Sequence, residues 1–368
     1  MLTGFVIGIT ADRRWDEQAA LFERRGASVV HAPTIRTLPL GGDDRLRAAT
    51  DDVIARPPQF VIANTGIGMR SWFGAAESWG VDAALLHALG GARILARGPK
   101  ASAAVHTAGL EVEARARTER FAETVDLVVE RLRPGQRVAV QSDGGGVHPD
   151  GERLRAAGAA VVDIPVYEWR LPDDPKPALR LAEAVIGRRV HAVTFTAAPQ
   201  IRNWFALAAE ADLEEPLRAA LSSGDVVVGS VGHVCSAAAE HEGIAEDCQT
   251  IPAISRLGPL VRAVSDALVE RIGRVPLPGG RELLLSGTVV RVGGGKSIEL
   301  SDVEARLLAA LADRSGAVVS KADLLVDVWG EPGGDPHVVE VAVGRLRRRL
   351  APAGVRVLAV PRRGYRLA

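Results

Sequence analysis

The chain has 368 residues, 47% of them apolar and 24% charged, a globular balance that excludes wholesale disorder and fibrous repeats and suggests two or three domains. No run approaches the roughly 18 to 20 apolar residues of a membrane helix. The opening MLTGFVIGITADRR reads as a strand and turn, so a soluble cytoplasmic protein is expected. The formal net charge is zero, yet residues 337–368 carry eight arginines against one acid, Glu340. A basic end on an otherwise slightly acidic chain is the footprint of a nucleic-acid module, with a solvated basic face as the alternative. Cys235 and Cys248 are too few for a disulfide framework or a zinc site. No metal and no cofactor is expected.

From Met1 to about Arg274 short apolar runs alternate with helical stretches closed by Gly or Pro, the signature of βα units on a mostly parallel sheet. FVIGIT (5–10) is a strand, 15–25 a helix closed by Gly26, and ASVVHAP a strand again. The unit recurs at FVIAN (60–64) with 67–79, RVAVQ (137–141) with 149–157, HAVTFT (191–196) with 199–209, and DVVVGS (225–230) with 233–242. LPDDPKP (171–177) marks a crossing between lobes, and at VPLPGG (275–280) the βα alternation stops. Helices are expected at 301–313, 320–328 and 336–350, then a hairpin turning at Pro361 to Gly364.

In DPHVVEVAVGRLRRRL, Asp335 is a suitable N-cap and Pro336 occupies the first helical position, where a missing N–H costs nothing. Val339, Val343, Leu346 and Leu350 form one apolar stripe, so Val341, Arg345 and Arg348 project from the opposite face. That face suits base edges and phosphates in a major groove, and Arg347 and Arg349 on the flanks suit phosphates. LSDVEARLLAAL (300–311), GAVVSKADLL (316–325), VWG (328–330), VVEVAVGRLRRRL (338–350) and VPRRGYRL (360–367) together resemble the winged helix-turn-helix output domain of OmpR/PhoB-type response regulators. The resemblance implies double-stranded DNA as partner, recognition by the helix 336–350, wing contacts from Arg362 and Arg363, and binding to tandem sites as a dimer. Ala342 and Gly344 stand where the family usually has longer polar side chains, which implies sparse base readout. No phospho-accepting receiver precedes the domain, so control by phosphorylation is not expected.

The region 1–272 lacks a Gly-x-Gly-x-x-Gly fingerprint and a P-loop lysine, which argues against a dinucleotide or ATP enzyme. FVIANTGIG (60–68), RILARGPKASAAVHTAGL (93–110), GQRVAVQSDGGG (135–146), LRAAGAAVVDIPVYEW (154–169), AVTFTAAPQIRNWF (192–205) and VVVGSVGHVCSAAAEHEGI (226–244) resemble uroporphyrinogen-III synthase in order along the chain. The family implies a two-lobed α/β fold, lobe one at 1–34 and 172–273 and lobe two at 37–169, followed by a linker at 274–283 and the winged helix at 284–368. It also implies a cofactor-free cyclisation of hydroxymethylbilane, a tetrapyrrole with eight carboxylates. Backbone N–H groups at helix starts and cations would hold such an anion. Candidates are Thr65, Gly66, Gly144, Gly145, Thr196 and His233 at loops and helix starts, with Arg13, Arg14, Arg70, Arg97, Lys100, Arg170 and Arg202 as cations. Solvated arginines, a flexible glycine turn and a surface histidine are the alternatives. Tyr167 matches the family tyrosine proposed to assist the leaving hydroxyl, with a strand-end aromatic as the alternative. Cys235 stands where the family has Thr, and a thiol is a poorer donor than a hydroxyl.

The fusion points to a transcription regulator whose synthase-like module senses a tetrapyrrole, another anionic small ligand or a partner. A bifunctional protein that still makes uroporphyrinogen III is the alternative. Fusions of this composition resemble actinobacterial regulators associated with nitrate and nitrite assimilation.

Overall fold

The structure is a computed structural model that describes all residues except 143–148, 278–279, 294 and 331. It divides into two compact units, Met1–Ile35 with Leu171–Ala368, and Arg36–Arg170. Among the described residues no helix is long and apolar enough to cross a membrane.

In the first unit five parallel strands lie in the order Gln249–Thr250, Val227–Ser230, Ala192–Phe195, Val6–Ile9, Ser28–His31. The three central strands are largely apolar, interrupted by buried Thr194 and Ser230, because both faces of a parallel sheet are covered by helices. Phe22 of Trp15–Glu23 and Leu260, Val261 and Val264 of Leu257–Glu270 pack with Ile7 and Ile9. Helices Lys176–Ile186, Ala198–Glu210, Glu214–Ser222 and His233–His241 supply the other cluster, around Phe195, Trp204 and Leu217. Gly26 ends the first of these helical units with φ +93°, a conformation that favours glycine.

The second unit repeats the plan, with parallel strands in the order Ala114–Arg115, Arg93–Ala96, Phe60–Ala63, Arg137–Gln141, Ala160–Ile164. An antiparallel pair, Arg36–Pro39 with Tyr167–Arg170, sits where the chain enters and leaves this unit.

The remainder of the first unit is an antiparallel sheet, Gly273–Leu277, Arg281–Ser286, Val289–Val292 and Ile298–Glu299, followed by helices Asp302–Asp313, Lys321–Trp329 and Pro336–Leu350 and the hairpin Val357–Val360 with Gly364–Leu367. Within the stretch 274–283, expected as a linker, residues 274–277 and 281–283 are instead strands of this sheet. Val275 and Leu277 alternate inward and pair opposite Leu283 and Arg281, and Pro276 is tolerated because the strand lies at the sheet edge. Ser301 and Glu304 cap the first helix reciprocally.

This sheet docks on the residues just before the first strand. The turn Ser286–Thr288 meets Thr3 and Gly4: Ser286 Oγ donates to the Thr3 carbonyl at 2.8 Å and Thr288 N to the Gly4 carbonyl at 3.2 Å. Gly287 has φ +54°, and a Cβ there would stand 2.1 Å from the Gly4 carbonyl oxygen. Gly287→Ala should therefore cost stability by about 1–3 kcal/mol or shift the turn. Chemical denaturation checks this, and an unchanged midpoint would remove the turn from the joint.

Candidate nucleic-acid interface and anion-binding residues

The helix Pro336–Leu350 begins as its sequence dictates, with the Asp335 side chain accepting from His337 N at 2.8 Å. Val339, Val343, Leu346 and Leu350 are buried against the other two helices. Val341, Arg345, Arg348 and Arg349 consequently face solvent together. Glu340, the single acid on this helix, is engaged by Lys321 and His337, which hold its carboxyl below the usual carboxylate range. Its charge is thus met within the fold, and the exposed face is left to the arginines. Arg362, in a left-handed conformation at φ 61°, and Arg363 stand exposed at the tip of the wing.

Arg347, expected on a phosphate, also has a structural partner. Its Nε donates to the Val357 carbonyl at 2.7 Å and its guanidinium lies 5.7 Å from the centroid of Tyr365. It braces the recognition helix against the wing, and Tyr365 is wing core. Ala342 is buried as well, so its small size serves packing.

The anion-site candidates are divided between the two units. In the second unit Thr65 caps the helix Gly66–Ser78 by accepting from Gly68 N at 3.0 Å, while its own N–H donates to buried Gln141 Oε1 at 2.7 Å. Gly66 and Lys100 are brought together: a Cβ on Gly66 would stand 2.3 Å from the Lys100 carbonyl oxygen, so this glycine permits two helix starts to touch. The Lys100 and Arg70 side chains are exposed. Arg97 is tied to the Glu119 carbonyl at 2.8 Å and to Asn64 Oδ1 at 3.1 Å. Arg170 pairs with Glu168, which Arg45 also reaches at 3.1 Å. Tyr167 is buried in the hydrophobic cluster of this unit, its ring 5.9 Å from that of Trp169. Gly144 and Gly145 lie outside the described residues.

In the first unit Arg13 is exposed and Arg14 is ion-paired with Glu17. Arg202 and His233 are exposed near the starts of their helices. Thr196 N and Ala197 N both donate to Gln200 Oε1, at 2.7 and 3.2 Å, and Gln200 returns its Nε2 to Thr196 Oγ1 at 3.1 Å. Two buried glutamines, Gln141 and Gln200, thus occupy helix-start donors that had been offered to a ligand. The reading from sequence missed both. The signal for Gln200 was present, since it falls at the third helical position where a Glu or Gln reaches back. Gln141, ending a strand far away in sequence, gave none.

Cys235, placed at a catalytic Thr position, is buried in the sheet–helix core, and burial pushes its thiol up to about 12. A buried, protonated thiol has no route to a reacting atom, so the catalytic assignment is withdrawn. Among the described residues no group of His, Cys, Asp and Glu is arranged to hold a metal ion.

These features define a two-lobed α/β module followed by a winged-helix DNA-binding head. The family model described as Uroporphyrinogen-III synthase HemD matches residues 16–254, and the chain belongs to that family. The model described as Transcriptional regulatory protein, C terminal, matches residues 295–367. A mutant uroporphyrinogen III synthase from Thermus thermophilus superposes with a TM-score of 0.57 at 28% identity, over 73% of this chain and 100% of that one. The uncharacterized protein YjjA of Bacillus subtilis is 26% identical over 264 residues, 71% of this chain and 94% of its own. The head is 42% identical over 77 residues to the transcriptional regulatory protein PrrA of Mycobacterium tuberculosis, 21% of this chain and 33% of that regulator. The chain thus carries the DNA-binding domain of a transcriptional regulator on a synthase-family fold.

The thiols supply a direct check of the placement of Cys235. At pH 8 a disulfide exchange reagent should titrate Cys248, which is partly exposed, while Cys235 reacts only after denaturation. Two thiols reacting together in the native protein would contradict the burial.

Proposed function

We propose that this chain is a DNA-binding transcriptional regulator in which the synthase-family module senses a small anionic ligand, a tetrapyrrole being the first class to test. The observation that carries the reading is the outward arginine face of Pro336–Leu350, with its one acid neutralised by Lys321. A face of this kind acts by releasing counterions from DNA, so affinity falls steeply with salt. Promoters of nitrate and nitrite assimilation are the first DNA candidates, and two half-sites about one helical turn apart would suit a dimer.

Arg345→Ala with Arg348→Ala should weaken promoter binding at least about tenfold and flatten the salt slope by about 1 for each arginine that sits on a phosphate. Fluorescence anisotropy between low and high salt reads both effects. Unchanged affinity would remove this helix from the recognition role.

Retained synthase activity is the second reading, favoured by the match over the whole Thermus chain. Freshly generated hydroxymethylbilane, followed by separation of the oxidised porphyrin isomers, decides it. Mainly type III product that falls in Tyr167→Phe would establish a working cyclase. Type I product alone would leave a fold retained for sensing.

A further inference from the structure

Gly344 stands in the middle of the recognition helix Pro336–Leu350 for no reason internal to the fold. It neither opens nor closes the helix, the two places where glycine is ordinarily favoured. Its φ is not in the left-handed range, so the backbone does not require it. A Cβ there would meet nothing within 4 Å, whereas one on Gly66 would strike the Lys100 carbonyl and one on Gly68 the Gln141 amide, as expected of glycines kept for close packing. Glycine inside a helix lowers its stability relative to alanine, so the position carries a cost with no return inside the protein.

The surroundings of Gly344 say where the return lies. Val341 and Arg348, three residues before it and four after, are its neighbours on the helix surface, and both are exposed. Arg345 and Arg349 are exposed beside them. Glu340, one turn back, is engaged by Lys321 and His337, and Arg347, one turn on, is tied to the Val357 carbonyl. A cationic helix face with one apolar side chain complements the major groove, where the group that projects from an A·T pair is the thymine 5-methyl. The missing side chain at 344 leaves a dent of about the size of a methyl, and Val341 gives that dent an apolar wall. Glycine is the residue that lets a backbone approach a ligand closely.

We propose that Gly344 is a base-contact position: the dent it leaves beside Val341 takes a thymine 5-methyl group, and the recognition helix sits closer to the floor of the major groove than any side chain there would allow. The proposal rests on the DNA-binding reading above and adds to it the base on which the helix closes. An alanine at 344 would put its own methyl where that of the thymine has to be. Free protein and complex therefore respond in opposite directions, the helix gaining stability and the complex losing it.

The test uses the full chain, the duplex that the wild type selects from a randomised pool, and a random duplex of the same length. Gly344→Ala should slow amide exchange across Pro336–Leu350 by about threefold to fivefold, yet weaken binding to the selected duplex at least about fivefold, as the loss of one base contact does. Gly344→Leu, another good helix former, should weaken it further. Affinity for the random duplex, set by phosphates, should change by less than about twofold. At one thymine of the selected half-site, replacement by deoxyuridine removes only the methyl; it should weaken the wild type and strengthen binding by Gly344→Ala, each about several-fold. Gly74→Ala, at a helix glycine of the second unit where a Cβ would likewise meet nothing, should leave both affinities unchanged. Unchanged or raised affinity of Gly344→Ala for the selected duplex, equal losses on the two duplexes, faster amide exchange in that variant, or no thymine whose replacement relieves it would each overturn the assignment. A wild type that selects no sequence over random duplex would sink the regulator reading and this inference with it. Equal selection by the wild type and Gly344→Ala would leave that reading standing and remove Gly344 from it.

Discussion

The contact between Gly4 and Gly287 is the constraint on which the placement of the head against the parallel sheet depends. Here two backbones meet with no side chain between them, each glycine in a left-handed conformation, φ +94° and +54°. A contact of this kind is short-ranged and directional, since the hydrogen bonds from Ser286 and Thr288, at 2.8 and 3.2 Å, weaken steeply as the backbones part. It sets the antiparallel sheet of the head on the first strand of the parallel sheet, and through that sheet the helices that carry the arginine face. The head is therefore not a bead on a tether. Gly273–Leu277 and Arg281–Ser286, which run between the domains in sequence, are themselves paired strands.

The same logic of satisfied backbone shapes the two sheet domains. In each, a helix start that faces the carboxyl ends of parallel strands would ordinarily be a ready anion site. Gln141 and Gln200 take up donors at those starts, at 2.7 Å in both cases. The glutamine oxygens satisfy the N–H groups without adding charge, so the helix dipole remains while the strongest directional donors are occupied. Of the cationic side chains near these starts, Arg70, Lys100, Arg202 and Arg13 are exposed and Arg14, Arg97 and Arg170 are already partnered. Binding chemistry of this sort is adaptable in geometry and more sensitive to salt than a cradle of backbone donors.

Much of this was legible in the sequence where a single local rule decides the outcome. Largely apolar runs gave the buried parallel strands, and the Val339, Val343, Leu346, Leu350 spacing fixed which face of Pro336–Leu350 is buried. The errors share a different cause, the need for long-range information. VPLPGG was read as a linker because βα alternation stops there, whereas Val275 and Leu277 pack inward once a partner strand lies beside them. Arg347 looked like a phosphate ligand by its place on the helix, and only the fold brings Val357 and Tyr365 within its reach. Cys235 was assigned by analogy of position, and its orientation into the core depends on the rotation of the helix His233–His241 over the sheet.

The recognition helix carries one further consequence for how sequence would be read. Ala342 and Gly344 stand where longer polar side chains are usual, but the two differ in cause. Ala342 is buried, so a longer side chain there would have to displace the helix core and could not reach a base. Gly344 faces open space, where an added Cβ would meet nothing within 4 Å, so packing does not demand it. A mid-helix glycine weakens a helix by about 1 kcal/mol relative to alanine, a cost the fold bears without any gain in packing. What remains for base edges is Val341 with Arg345 and Arg348, an apolar contact suited to a thymine methyl and two forks suited to guanine. So few readers on one helix give modest discrimination per half-site. The seat of the head at Gly4 and Gly287, through the hydrogen bonds from Ser286 and Thr288, is what places that face relative to the parallel sheet.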